Sequence, residues 1–415
     1  MIVATVNNHY QLGGAETVAR QLHEGALDAG HDARFCVAEG SRWPRAKGLR
    51  PLYPRLFARL HESRFRGVIE RLAPRRKWTD QRFRALAHSD ADVVHVHSFH
   101  GLYASIESLA FLAKSKPLVW TFHRFWGITG GCDHPFDCER YQSGCGQCPQ
   151  IGRFAVGPVD RTAAEWKRKQ QLLVDLPLTV VSPSKHLGRR VRASALGKNW
   201  IVEVIPNGVC PERFKRRMPV NPELKRSLGL APDKTTTLFT NRDFHDPIKG
   251  FPLVEAALQT IARADIQVVL VGGNSTWARS RLPAQLDVVD AGYVKNTERL
   301  AAFYEAAEVF LYASDGENLP CAVLEAMSAG CCVVATPVDG VTELIETDST
   351  GLLAAGNDAN ALAETLGKAI DLGADARCKL GIRAREKVTR EYSEKTMVES
   401  YLKTYERVVA EWGGR

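Results

Sequence analysis

Short apolar runs recur along the chain, each followed by a turn and then by a stretch with apolar residues at helical spacing. In the first half they are MIVATV at 1–6, HDARFCVA at 31–38, DVVHVHS at 92–98, LVWTFH at 118–123 and LTVVSPS at 178–184. The first leads through QLGG into a helical stretch at 15–29. Runs this short and this continuously apolar predict strands buried on both faces. Their alternation with helices predicts parallel βαβ units in a doubly wound α/β sheet. A second series starts after Pro206-Asn207-Gly208: TTTLFTN at 235–241, IQVVLVGG at 266–273, VFLYAS at 309–314 and CCVVATP at 331–337. Helical stretches at 250–262 and 319–330 separate them. The pattern therefore predicts two similar α/β domains joined near 205–217. In open α/β sheets ligands bind at the carboxyl ends of strands, which places the expected site in a cleft between the two. The last stretch, 392–412, reads as a helix with Tyr401, Leu402, Tyr405 and Val408 on one face.

Bulk properties narrow the class. A chain of 415 residues exceeds one ordinary core. No run approaches the roughly 18 apolar residues of a membrane-spanning helix, and the start carries no secretory leader, so a cytoplasmic protein is expected. The net charge of +8 is uneven. Between 51 and 86, Arg55, Arg59, Arg64, Arg66, Arg71, Arg75, Arg76, Lys77, Arg82 and Arg84 face only Glu62, Glu70 and Asp80, with apolar residues near helical spacing. Such a segment is either an amphipathic helix lying on the inner membrane face or a core-facing helix with a solvated basic side. No aromatic-rich signature accompanies the charge, so nucleic acid is not expected.

The segment with the most chemistry runs from Ser314 to Gly330, SDGENLPCAVLEAMSAG. Seven residues separate Glu317 from Glu325. If a helix starts near Leu319 or Pro320, Glu317 sits in the loop before it and Glu325 one to two turns in. The helix start then faces an anion, and each carboxylate can accept from a vicinal diol. This segment resembles the E-x7-E signature of the family-4 retaining glycosyltransferases of GT-B fold. The resemblance implies two Rossmann-like domains, 1–205 for the acceptor and 206–391 for a nucleotide-diphosphate sugar, with a helix at 392–415 packing back on the first. It also implies that Glu325 binds the donor ribose, and that Glu317 with the Asn318–Leu319 backbone contacts the transferred sugar.

Other matches follow in chain order. Gly13-Gly14 lies where the family loop meets the donor diphosphate and acceptor. His123 ends a strand where a family histidine contacts the sugar, while His97 is a weaker candidate and His95 reads as structural. Arg242 and Lys249, in NRDFHDPIKG, resemble the cation pair that neutralises the leaving diphosphate; Asn241 stands where the family usually has glycine. Pro206-Asn207-Gly208-Val209 resembles the interdomain segment, and Gly292-Tyr293-Val294 lies where family backbone meets the nucleobase. Asp90-Ala91-Asp92 is a D-x-D triplet that reads as a cap on a helix-to-strand turn, because GT-B enzymes use dipoles and cations in place of a catalytic metal.

Ten cysteines are present. Six (Cys36, Cys210, Cys321, Cys331, Cys332 and Cys378) read as small buried hydrophobes. The other four, Cys132, Cys138, Cys145 and Cys148, have the spacing C-x5-C-x6-C-x2-C. The last pair can reach one metal, and a Gly- and Asp-rich loop lacks a core of its own, so structural zinc is expected. Free thiols or a redox disulfide are the alternatives; an iron–sulfur cluster fits the wide spacing less well. His134 is a substitute ligand. The segment resembles a cysteine-containing insertion of some bacterial exopolysaccharide and colanic-acid-type members.

The reaction these matches imply is retaining transfer to a glycan or a polyprenyl-diphosphate-linked acceptor in bacterial polysaccharide synthesis. The leaving phosphate oxygen acts as base, and domain closure excludes water. Rival readings are a sugar-nucleotide epimerase, a phosphorylase (opposed by the absence of a pyridoxal-phosphate motif) and a non-enzymatic zinc-dependent module binding glycans or membranes.

Overall fold

The computed structural model describes all residues except 11–12, 38–45, 49–74, 100–103, 154–155, 215–219 and 415. The chain divides into two compact units, one of Met1–Ile205 with Met397–Arg415, the other of Pro206–Thr396. Most of the basic segment, 51–74, lies outside the described residues. Its end belongs to the helix Arg75–Ala87, where Phe83 is fully buried in the core and Arg82 and Arg84 are exposed. That part is a core-facing helix with a basic outer side. Among the described residues no helix is long and apolar enough to cross a membrane.

The first unit holds a seven-stranded sheet. Its strands are β1 (Ile2–Asn7), β2 (Asp32–Val37), β3 (Ala46–Gly48), β4 (Val93–Val96), β5 (Leu118–Thr121), β6 (Thr179–Ser182) and β7 (Ile201–Val204), in the order β3-β2-β1-β4-β5-β6-β7. All the pairings are parallel. β4, β5 and β6 are buried along their whole length, which is why they read as unbroken apolar runs. The edge strand β7 escaped the sequence reading: it is half exposed and carries Glu203. The helix Ile106–Ser115 covers the sheet with Leu109 and Leu112, both fully buried, and Ser105 caps it by accepting from the Ser108 amide. Truncating either leucine to alanine would cost about 2–5 kcal/mol. The helix Glu394–Gly413 places Tyr401 and Tyr405 in this unit's interior. Tyr405 shares a hydrogen bond with His95 Nδ1 at 2.6 Å, and Tyr401 one with Thr121 Oγ1 at 2.9 Å. The Asp90–Asp92 triplet is spent on structure, since Asp92 accepts from the Ile2 amide at 2.7 Å and Asp90 pairs with Arg34.

The second unit holds a six-stranded parallel sheet of β8 (Thr235–Asp243), β9 (Ile266–Gly273), β10 (Asp287–Gly292), β11 (Val309–Tyr312), β12 (Cys332–Ala335) and β13 (Leu352–Leu353). The order is β10-β9-β8-β11-β12-β13. Along β11, Phe310 and Tyr312 enter the core on one face while Val309 and Leu311 enter the core on the other. Period-two alternation between two apolar cores makes a strand apolar throughout. β10 and β13 were absent from the sequence-based strands; β10 is only half buried and β13 has two residues. In both sheets the chain winds outward in opposite directions from a central pair, β1/β4 and β8/β11, and ligands bind at the carboxyl ends of such a pair.

Candidate functional site

In the second unit the carboxyl ends of β8 and β11 gather four of the residues singled out from sequence. Arg242 is the penultimate residue of β8, at a register shift between Asn241 and Asp243 against β9. A bulge there re-aims the local side chain, and Arg242 is exposed. Lys249 closes the turn Pro247–Lys249, capped by Asp246. Gly250 follows with φ +67°, and a Cβ on it would lie 2.4 Å from the Ala313 carbonyl carbon. Glycine thus lets the turn lie directly on the end of β11, where Ser314 Oγ and the Asp315 amide both donate to the Ile248 carbonyl. This contact carries Lys249 to Glu317.

Glu317 lies in the loop before the helix Cys321–Ser328. Its Oε2 accepts from Lys249 Nζ at 2.6 Å and from the Tyr312 hydroxyl at 2.7 Å, and its amide donates to Asp339 Oδ2 at 3.1 Å. Burial, reinforced by the Glu317 charge, raises the Tyr312 phenol well above its ordinary range, so Tyr312 remains a proton donor. An ammonium has three protons to give and one is engaged here, which leaves two for an incoming anion. Asn318 and Leu319 are both buried. Asn207, from the Pro-Asn-Gly-Val segment, donates to the Leu319 carbonyl at 2.8 Å and fixes the loop from within the same unit.

Glu325 sits inside the helix, partly exposed, its Oε2 accepting from the Tyr304 hydroxyl at 2.9 Å; Tyr304 also shares a hydrogen bond with Thr240. Burial pushes the Glu325 carboxyl up to about 7, against the opposing pull of Tyr304 and Arg213. The helix start has no acidic residue in its first turn, and Pro320 supplies no side-chain cap. The Val323 and Leu324 amides donate to the Pro320 carbonyl, so what the helix start offers an anion is its dipole and the amides before them. Each glutamate is held by a tyrosine that sequence reasoning missed. A buried phenol needs a partner for its hydroxyl, but nothing in the spacing of Tyr304 or Tyr312 says which. Gly292 ends β10 with φ +67°, followed by exposed Tyr293 and partly buried Val294.

In the first unit, Gly13 caps the helix Gly14–Asp28 with φ −159°, ordinary extended backbone, so its dihedral makes no demand for glycine. His123 follows β5. Its Nε2 and His97 Nδ1 share a 3.0 Å hydrogen bond, the rings stacked with centroids 5.3 Å apart. The His95 ring lies against His97, centroids 3.9 Å apart and tilted by 42°. Desolvation, with Arg124 adding, lowers His123 to about 3. It is a neutral imidazole at physiological pH, able to donate from one nitrogen and accept at the other. His97, the weaker candidate from sequence, is the residue that holds the His123 ring.

The four clustered cysteines line a single cavity with Tyr141 and Gln150, and His134 is not among its walls. Among the described residues no group of three or more His, Cys, Asp or Glu side chains is already gathered as a metal site. Of the six cysteines expected to be buried, Cys36, Cys331 and Cys332 are; Cys210, Cys321 and Cys378 are only partly so.

Two family models match the chain, Glycosyltransferase Family 4 over residues 12–213 and Glycosyl transferases group 1 over residues 234–371. The chain is 31% identical to a D-inositol 3-phosphate glycosyltransferase of Xylanimonas cellulosilytica, over 71% of this chain and 67% of that protein. It is 23% identical to the putative colanic acid biosynthesis glycosyl transferase WcaC of Escherichia coli, over 80% of this chain and 82% of the relative. Among solved structures, Anabaena Alr3699/HepE in complex with UDP-glucose superposes with a TM-score of 0.67 at 17% identity, covering 98% of this chain and 100% of that one.

Proposed function

The chain belongs to the family 4 glycosyltransferases, and on that premise we propose that it moves a hexose from a nucleoside-diphosphate sugar, with retention, to an acceptor in bacterial polysaccharide assembly. The observation that carries this reading is the convergence of Lys249 and Tyr312 on Glu317 beside an uncapped helix start, with Glu325 held by Tyr304 in the same helix. A diphosphate needs cations and amides; a sugar and a ribose need acceptors for paired hydroxyls. Both sets stand at the carboxyl ends of one strand pair.

We assign Glu325 to the ribose diol and Glu317, with the Asn318–Leu319 backbone, to the transferred sugar. Lys249 and Arg242 stabilise the charge that grows on the departing diphosphate, together with the amides at the helix start. Val294 lies by the base. Gly13 and Gly14 belong to the loop near the phosphates and acceptor, and neutral His123 hydrogen-bonds a sugar hydroxyl. No side chain is assigned as nucleophile: the leaving phosphate oxygen takes the acceptor proton as the hydroxyl attacks the same face. The epimerase, phosphorylase and binding-module readings find no support, since both matched models are of glycosyltransferases.

The fold neighbour bound to UDP-glucose makes that the first donor to try, and the similarity to a colanic acid enzyme favours a glycan or polyprenyl-diphosphate-linked acceptor. On this reading the protein works in the cytoplasm, and a lipid-linked acceptor would bring segment 51–86 to the inner membrane face. The test is a thermal-shift screen of UDP-, GDP- and other nucleotide sugars. A donor at 100 times its Kd stabilises the fold by about 2.7 kcal/mol. A screen in which every sugar nucleotide leaves the melting curve unmoved would overturn the assignment.

A further inference from the structure

The loop that follows His123 carries four cysteines to which the proposed sugar transfer assigns no role. Cys132, Cys138, Cys145 and Cys148 all line one cavity. Cys145-Gly146-Gln147-Cys148 turns with φ +136° at Gly146 and +46° at Gln147, a conformation costly for glutamine. The Gly130 amide donates to Cys145 Sγ at 3.2 Å. A Cβ on Gly130 would lie 2.2 Å from the Thr162 carbonyl oxygen, so only glycine brings this amide so close to the helix Thr162–Leu173 and to the sulfur.

A buried lysine lies beside the same loop. Lys169 is 1% exposed, and its ammonium donates to the carbonyls of Trp126 and Thr129 and lies 3.4 Å from the Trp126 ring centroid. No carboxylate stands within ion-pair distance of it among the described residues. The two nearest in the field are engaged elsewhere, Asp133 with Arg124 and Glu165 with Arg168. A buried ammonium with only neutral partners is costly. Thr129, which accepts from the ammonium, also donates its hydroxyl to the Cys132 carbonyl at 2.7 Å, so Lys169 stands beside the cysteine loop. A tetrathiolate centre in that loop would supply the negative charge that its own carboxylates, engaged elsewhere, do not.

We infer that the four-cysteine cavity is a structural zinc site, with Cys132, Cys138, Cys145 and Cys148 as ligands and buried Lys169 as the counter-cation to the anionic tetrathiolate. Binding Zn²⁺ releases four protons, and the resulting centre carries two negative charges, which the nearby ammonium offsets in part. The side chains ring the cavity and the ion draws them together, with Gly144 and Gly146 giving the chain its freedom on either side of Cys145. Thiolate sites of this kind take zinc in tetrahedral closed form. The centre has a structural consequence for the strand end. Asp133, next to Cys132, pairs with Arg124 and accepts the Phe125 amide at 2.9 Å. The zinc loop thus holds the two residues that follow His123.

The test uses the full chain, purified without chelator or added zinc. Elemental analysis is expected to find about one zinc per chain, and thiol titration in denaturant, with a chelator to remove the metal and no reductant, is expected to find all ten cysteines reactive. Cys145→Ser and Cys148→Ser are expected to lose the metal, whereas Cys378→Ser, in the other unit, retains it. Lys169→Met keeps every ligand and is expected to weaken zinc roughly 10–100-fold in a competition with a chromogenic chelator. If the serine variants fail to fold, the metal content of the unchanged protein and the Lys169→Met competition still decide. Protein that takes up no zinc on refolding with it, cysteines missing in pairs from the titration, bound iron in place of zinc, or unchanged affinity in Lys169→Met would each overturn the inference. Binding of the sugar nucleotide, read by thermal shift, is scored separately, so failure of one reading leaves the other standing.

Discussion

Lys249 Nζ lies 2.6 Å from Glu317 Oε2, joining a turn after β8 to the loop after β11. The pair is partly buried, the lysine side chain 31% and the glutamate 15% exposed, so the contact is neither freely screened nor fully dry. A cation held by a carboxylate is placed without being neutralised, because two of its protons stay available to phosphate oxygens.

Lys249→Met is therefore expected to lower kcat by about 10²–10³, the usual cost of losing one preorganised charge, with donor Kd changed far less. Steady-state kinetics with a direct measurement of donor binding separate the two effects. A defect confined to KM would count against a role in leaving-group stabilisation.

Donor affinity should depend on pH through Glu325. Burial raises this carboxyl to about 7, and the ionised form is the better acceptor for a diol. Affinity is expected to fall as pH drops below about 7 and to level off above it. The sign for stability is opposite: the unfolded group ionises from its ordinary value of 4.5, the folded one only near 7, so ionisation favours the unfolded chain over that window. Glu325→Gln should raise the melting temperature at pH 8 by roughly 2–4 °C for each kcal/mol recovered, while abolishing the pH dependence of donor binding. Titrations at several pH values check both.

Tyr304→Phe removes the hydrogen bond that favours the ionised Glu325. The carboxyl should then titrate higher still, and the pH midpoint of donor affinity should move upward, with little change in the plateau at high pH. A midpoint that stays put or moves down would show that Tyr304 does not govern this group.

Gly250→Ala tests how Lys249 is placed. The left-handed backbone and the 2.4 Å approach to Ala313 leave no room for a methyl group. The expected loss is about 1–3 kcal/mol of stability, with a fall in kcat as the turn lifts from β11. Guanidinium unfolding and kinetics on the folded fraction measure each part.

Much of this arrangement was legible in the residues. Central strands such as 118–121 and 309–312 announced themselves because both sheet faces are covered, which forces unbroken apolar runs. The strand Ile201–Val204 did not, because an edge strand need bury only part of itself. The two glutamates could be picked out by spacing on either side of a helix start. Tyr304 and Tyr312 could not, since they reach the carboxylates from a different helix and a strand end, and hydroxyl direction is set by packing rather than by separation along the chain. The link between His97 and His123 belongs to the same class, as does Lys169: its distance of 21 residues from Cys148 carries no mark of their nearness in space.

The last helix anchors Tyr401 and Tyr405 beneath the strand-end histidines of the first unit, with the whole of the second unit intervening in the sequence. During synthesis the two units therefore cannot mature in the order in which they are made. The middle of the polypeptide leaves the ribosome with all its strands, while the opening portion waits, its histidine column unroofed, until residues 397–413 emerge. A nascent chain stalled just short of that point would present a finished second unit and an unsealed first, the species on which chaperones and proteases would act.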